Sequence, residues 1–277
     1  MTASTRSTTE LREPPRQASR ETVISVRDLK VRYGERTVLD GVSLDILRGE
    51  TMVILGGSGS GKTTLLRHME GLERPAEGSV TVKGVDLATA SRATLTALRR
   101  SMGVSFQSAA MFNSMTVGDN VALPLLEHSA LAESTIQVMV RIKLQQVGLT
   151  HVEDLYPTQL SGGMRKRASL ARALALDPEI LFFDEPSAGL DPVIAAGLDD
   201  LILRLKAAYP ITIVVVTHEL ASAFLIADRM CMINEGKILA VGTVDEIRSN
   251  PDPRVQQFIR REANEPSEAS SSYIMGA

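Results

Sequence analysis

The sequence predicts an α/β fold: a core with a parallel sheet, an antiparallel β region at its edge, and an inserted helical subdomain at about 108–176. Three observations carry this reading. Short unbroken apolar runs at 51–55, 180–183 and 211–216 have the length of strands covered on both faces. Between residues 22 and 46 apolar and polar residues alternate instead, as in strands with one wetted face. From about Ser108 to Leu176 the pattern is mainly helical.

Residues 1–20 are rich in Ser, Thr, Pro and Arg, lack periodicity, and read as a disordered tail. Residues 262–277 read as a flexible tail, which leaves 21–261 as the domain. Val23, Ile24, Val26 and Val31, then Val42, Leu44 and Ile46, punctuated by Gly34 and Gly41, mark the antiparallel strands; 79–83 repeats the pattern briefly. The run at 51–55 passes straight into glycines, and 64–70 continues as a helix. A short strand-like segment, Val104, Ser105 and Phe106, precedes Gln107. In 136–147 the residues Ile136, Met139, Val140, Leu144 and Val147 share a helical face, and Gly148 stops the helix.

The 277 residues allow one large domain or two small ones at roughly 100–200 residues each. Lys and Arg number 30 against 33 Asp and Glu, a net charge of -3, so no global field favours nucleic acid. Aromatics are 4% with no Trp, which disfavours stacking platforms for single strands. One cysteine, Cys231, excludes an intrachain disulfide and a cysteine-based zinc site, and suits a reducing compartment. No segment approaches the ~20 apolar residues that span a bilayer, and the N-terminus lacks a signal peptide's apolar core. Work at a membrane would therefore require docking on something else.

Gly56, Gly57, Ser58, Gly59, Ser60, Gly61, Lys62 and Thr63 fit the phosphate-binding pattern GxxxxGK[ST] between a strand and a helix that runs on through Thr64. Glycines let successive amides turn toward one anion, and the helix N-terminus adds its positive end. Lys62 supplies charge for the β- and γ-phosphates; the Thr63 hydroxyl is a hard oxygen ligand for Mg²⁺. The strand at 180–183 ends in two carboxylates: Asp184 can hold Mg²⁺ through its water shell, and Glu185 can polarise an attacking water. His218 and Gln107 each follow a strand-like segment, so both belong at the carboxyl edge of the sheet with the phosphate loop. Gln107 there can reach metal or water. Ser161 is a natural N-cap, followed by Gly162, Gly163 and Met164, then Arg165, Lys166 and Arg167, a basic triplet read as a solvated helix face. Tyr33 beside Gly34 is placed either to stack on adenine or to lie half-buried in its strand.

In this order the phosphate loop, Gln107, LSGGM at 160–164, LFFDEP at 181–186 with Ala188, Gly189, Leu190 and Asp191, and His218 resemble the ATP-binding cassette (ABC) ATPases over roughly 22–246. No Asn-Lys-x-Asp guanine-reading motif is present, which counts against a GTPase. Within that superfamily, Phe106 to Phe112, Asp119-Asn120-Val121, Pro124-Leu125, Glu127-His128, Met164 and the stretch 250–258 resemble the ATPase subunit of MCE-associated (Mla-type) phospholipid transporters. Ala109 stands where glycine is frequent in such relatives.

The resemblance implies a P-loop ATPase core and a head-to-tail homodimer holding two ATP molecules with Mg²⁺. Each site joins one copy's phosphate loop to the other's Ser161, Gly162 and Gly163, with Asp191 carrying communication across the dimer. It implies Lys62, Gln107, Glu185 and His218 as the reacting set, His218 on the γ-phosphate, and Thr63, Gln107 and Asp184 around the metal. The implied partners are an integral-membrane permease and an MCE-domain lipid-binding protein, with room for a STAS-domain regulatory subunit and no nucleic acid. The implied place is peripheral, on the cytoplasmic face of the bacterial inner membrane. An importer or exporter of another small solute is the alternative. An ABC ATPase acting on DNA or ribosomes would show a long coiled-coil insertion or tandem cassettes, and a silent regulatory subunit would lack Glu185 or His218.

Overall fold

The computed structural model describes residues 21–260; the expected tails at 1–20 and 262–277 lie outside the described residues. Strands β1 (Thr22–Tyr33) and β2 (Arg36–Leu47) form an antiparallel pair turning at Gly34, whose φ of 61° suits glycine. The chain then crosses to β3 (Thr51–Leu55), buried at every position, and enters α1 (Lys62–Met69). Strand β4 (Glu77–Val82) returns to pair with β1, and β5 (Val85–Asp86) hairpins onto β4, giving the order β2-β1-β4-β5.

Helix α2 (Arg92–Arg99), capped by Ser91, leads to β6 (Met102–Ser105). The chain from there to Pro178 is helical: α3 (Val117–His128), α4 (Glu133–Gln146), a 3-10 turn at Pro157–Gln159, and α5 (Gly162–Ala173). A capping box between Thr116 and Asp119 starts α3, and Ser161 caps α5. Next come β7 (Ile180–Asp184), α6 (Pro192–Ala208) and β8 (Thr212–Thr217). The last elements are α7 (Leu220–Ile226), the hairpin β9 (Arg229–Asn234) and β10 (Lys237–Thr243), α8 (Val244–Arg248) and α9 (Pro253–Arg260).

Six strands make the central sheet among the described residues, in the order β10-β9-β3-β8-β7-β6, parallel except for β10. The period of two splits its side chains between two cores. Val53, Leu55, Leu181, Phe183, Ile213 and Val215 face the helices α3 to α7. Met52, Ile54, Ile180, Phe182, Val214 and Val216 face α1 and the antiparallel sheet. The sheet is therefore the middle layer of three, which is why 51–55, 180–183 and 211–216 read as unbroken apolar runs.

Glu50 joins the two sheets. It is buried, and its Oε1 accepts the Leu47 N–H at 2.8 Å and the Arg229 guanidinium at 3.2 Å, while Arg229 also donates to the Asp45 carbonyl. Burial pushes the Glu50 carboxyl above its ordinary range, and the Leu47 amide and Arg229 pull it back. Glu50→Ala removes the acceptor from both donors and should cost about 3 kcal/mol, read as a lower urea midpoint with unchanged slope.

Candidate nucleotide-binding site

The carboxyl ends of β3, β8, β7 and β6 lie side by side, with Leu55 opposite Thr217, Asp184 opposite Val216, and Ser105 opposite Phe183. The segments leaving those ends carry the phosphate loop, His218, Glu185 and Gln107, so one edge of the sheet gathers them. In the loop, the Ser60 N–H donates to the Gly57 carbonyl at 3.3 Å, and the Ser60 carbonyl accepts from Gly236 in the β9–β10 turn at 3.2 Å. Gly61 has φ 102°, and a Cβ there would sit 2.9 Å from the Val38 carbonyl oxygen. Ser58 and Gly59 are exposed at the rim, Ser60 is buried, and Thr64 is half-buried in the first turn of α1.

Lys62 is buried, and its Nζ donates to the carbonyls of Gly56 and Gly57, each at 3.0 Å, while lying 3.9 Å from Glu185 Oε1. Burial lowers its pKa from the usual lysine range, and the charges of Glu185 and Asp184 oppose that shift. The Thr63 hydroxyl donates to Asp184 Oδ1 at 3.2 Å. Burial raises the Asp184 pKa, against that bond.

Among the described residues no group of three or more His, Cys, Asp or Glu side chains forms a metal cage. One hydroxyl and one carboxylate, both hard oxygens at the foot of a phosphate loop, fit Mg²⁺, which keeps several waters and completes its shell with substrate phosphates.

Glu185 sits in the left-handed region at φ 50°, costly for a residue with a side chain. Its N–H donates to the Val216 carbonyl at 2.8 Å. Its Oε2 lies 2.8 Å from His218 Nδ1 and accepts the His218 backbone N–H at 3.3 Å. The carboxylate thus stands between Lys62 and His218, buried itself while the imidazole is exposed. Such a carboxylate can accept a proton from, or orient, a water beside a bound phosphate.

Gln107 is exposed just past β6, and its backbone carbonyl accepts from Lys166 Nζ. Tyr33 is 51% exposed at the end of β1, and its hydroxyl donates to Glu73 Oε2 at 2.5 Å, beyond the end of α1. That bond raises the Tyr33 pKa and lowers that of Glu73. The side chain is thus about half-exposed at the end of its strand, with its hydroxyl tied toward the end of α1.

A cavity of about 600 Å³ over the loop is lined by Gly57, Ser58, Lys62, His218 and Leu220, with Gln257 and Phe258 of α9 on its rim. Ser161, Gly162 and Gly163 do not line it. They open α5: Ser161 Oγ accepts the Met164 N–H at 3.2 Å, Ser161 and Gly162 are exposed, and a Cβ on Gly163 would meet Ile194 Cγ2 at 2.5 Å. Asp191 caps α6 beside them, accepting from Val193 and Ile194 at 3.1 Å.

The solvated-face reading of the basic triplet holds only for Arg165. Lys166 is buried, and Arg167 is half-buried, donating to the carbonyls of Val147 and Gly197. The signal was the helical period: Lys166 stands three residues after buried Gly163 and four before buried Leu170. Gln257 and Phe258 fall in the stretch 250–258 that carries the family resemblance, but nothing local placed them at this cavity, because their place depends on how α9 folds back.

Glu70, at the end of α1, is 3% exposed, and its Oε1 has no hydrogen-bond partner. Burial first, then the charge of Asp184, pushes its pKa from 4.5 up to about 8. The folded chain therefore holds a proton that the unfolded chain releases near pH 4.5. The stability this gives is complete below that pH and is lost as pH rises toward 8. Glu70→Gln should melt at a higher temperature than the unmodified chain at pH 8.5 and close to it at pH 5. Equal melting at pH 8.5 would show that Glu70 is not held neutral.

Residues 39–188 match the ABC transporter family. The chain is 41% identical over 244 residues to the intermembrane phospholipid transport system ATP-binding protein MlaF of Escherichia coli (strain K12), covering 88% of this chain and 91% of that protein. It is 42% identical over 236 residues to the "Probable ribonucleotide transport ATP-binding protein mkl" of Mycobacterium leprae (strain TN), covering 85% of this chain and 68% of that protein. Among solved structures, a dimeric ATP-binding cassette in a post-hydrolysis state bound to ADP and Pi is 29% identical with a TM-score of 0.73, covering 80% of this chain and 98% of that one.

Proposed function

Since this chain belongs to the ABC transporter family as an ATP-hydrolysing cassette, we propose that it powers the movement of phospholipid between membranes with an MCE-domain partner. The observation that carries the lipid reading is the 41% identity to MlaF across 88% of this chain and 91% of that protein. The 42% identity to the mkl protein supports the second reading, transport of another small solute.

The working unit is a homodimer, two-fold symmetric, with ATP between one copy's phosphate loop and the other's Ser161, Gly162 and Gly163. Ser161 and Gly162 are exposed and lie outside their own chain's phosphate cavity, which leaves that turn open to serve a neighbour. Asp191, beside that turn, carries communication across the interface. Amides of residues 57–64 and the Lys62 ammonium bind the phosphates, and the Tyr33 ring stacks on adenine. Thr63 and Asp184 hold Mg²⁺, with Gln107 completing the set, and the ion when bound neutralises phosphate charge.

Glu185 orients the attacking water and takes its proton, and His218, held by Glu185 Oε2, contacts the γ-phosphate. Loss of that phosphate removes contacts that exist only in the closed dimer, so the copies separate. Residues 108–176 act as a helical subdomain within the 21–261 domain, passing movement at Gln107 to an integral-membrane permease. Among the described residues no helix is long and apolar enough to cross a membrane, which suits a peripheral subunit on the cytoplasmic face of the bacterial inner membrane. A STAS-domain regulatory subunit is compatible with this arrangement.

Glu185→Gln should lower steady-state ATP hydrolysis by about 100-fold or more while ATP is still bound; an undiminished rate would remove Glu185 from the role. Affinity purification from membranes should recover a permease, an MCE-domain protein and phospholipid. Recovery of an amino-acid or sugar permease instead would overturn the lipid reading.

A further inference from the structure

Helix α5 carries the Ser161–Gly163 turn at one end and grips two catalytic loops one turn later. Lys166 is 8% exposed. Its Nζ donates to the backbone carbonyl of Gln107 and, at 3.2 Å, to that of Glu185. No carboxylate lies within ion-pair distance of it among the described residues. Asp184 and Glu185 act on it at longer range, offsetting part of the burial that lowers its pKa. An ammonium has three donors and needs acceptors when buried, and here backbone oxygens supply them.

Those two carbonyls belong to strained turns. Glu185 is left-handed, and its peptide is fixed from both sides: the N–H bonds to Val216, and the carbonyl accepts from Lys166 and from the Ala188 N–H at 3.2 Å. Such a conformation persists only where its surroundings over-determine it. In the loop after Gln107, Ala109 and Ala110 have φ of 61° and 46°, and their carbonyls accept from Arg172, also on α5. The helix thus holds the Gln107 loop through Lys166 and Arg172, and the Glu185 turn through Lys166.

We propose that Lys166 is a positioning residue that transmits the placement of α5 to the Glu185 turn and the Gln107 loop together. This rests on the reading of Glu185 as the water-orienting carboxylate. The N-terminus of α5 engages nucleotide held by the second copy, so Lys166 makes occupancy of that copy's site set the carboxylate geometry in this one. The two sites of the dimer are coupled through it in both directions, by symmetry.

The test measures steady-state ATP hydrolysis of the full chain with Mg²⁺ against ATP concentration, for the unmodified protein, K166M, K166L, K166R and E185Q, with melting temperatures. K166M keeps an aliphatic stem without a donor, and K166R can still donate to both carbonyls. K166M should lose roughly tenfold in kcat with little change in KM, and its Hill coefficient should fall toward one. K166R should recover most of both. A structural role alone would lower the melting temperature and the active fraction while leaving the Hill coefficient in place. Should K166M fail to fold, K166L with an unchanged melting temperature carries the comparison, since it too has no donor. Unchanged kcat and Hill coefficient in a folded donor-less variant, or no rescue by a folded K166R, overturns the proposal. An E185Q chain at the full rate overturns the reading of Glu185 and this inference with it; an inactive E185Q beside a normal K166M removes Lys166 alone.

Discussion

The strained peptide at Glu185 is the constraint around which the site is arranged. Strand β7 ends one residue earlier, and a chain that continued extended would carry the Glu185 side chain away from His218. The left-handed turn, anchored on the Val216 carbonyl of the neighbouring parallel strand, swings the carboxylate between the Lys62 ammonium and the His218 ring. That anchor exists because β7 and β8 pair in register, and both are held between two apolar layers. The Mg²⁺ donors then follow from the same ladder: Asp184 is the last residue of β7, facing the first turn of α1.

Much of this was legible in the sequence, because the signals are local. Four apolar residues running into glycines, with Lys-Thr at a fixed offset, specify strand, loop and helix within a dozen positions. The paired carboxylates after residues 180–183 and the histidine after 211–216 needed only the rule that ligands gather at the carboxyl edge of a parallel sheet. What stayed hidden was tertiary. The helical period places Lys166 on the buried side of α5, but only the tertiary fold supplies the Gln107 and Glu185 carbonyls to which it donates. The hairpin of β9 and β10 left a weak trace, because Met230, Cys231, Met232 and Ile233 form a run too short to assign without its partner strands.

Ser161, Gly162 and Gly163 show a different limit. Their local role, capping α5, is complete within one chain, and Gly163 lies so close to Ile194 that a methyl group would collide. The proposed second role needs another copy, and no property of a single chain encodes it. A family resemblance carries that information where periodicity and spacing do not.

Helix α9 ends the described chain against the mouth of the phosphate cavity. Val255 is anchored in the core, and Gln257 and Phe258 stand at the rim two residues before Arg260. A group attached to α9 is therefore held close to the phosphate loop. A dye placed there would sit near enough to report nucleotide loading directly, with no label on the nucleotide itself.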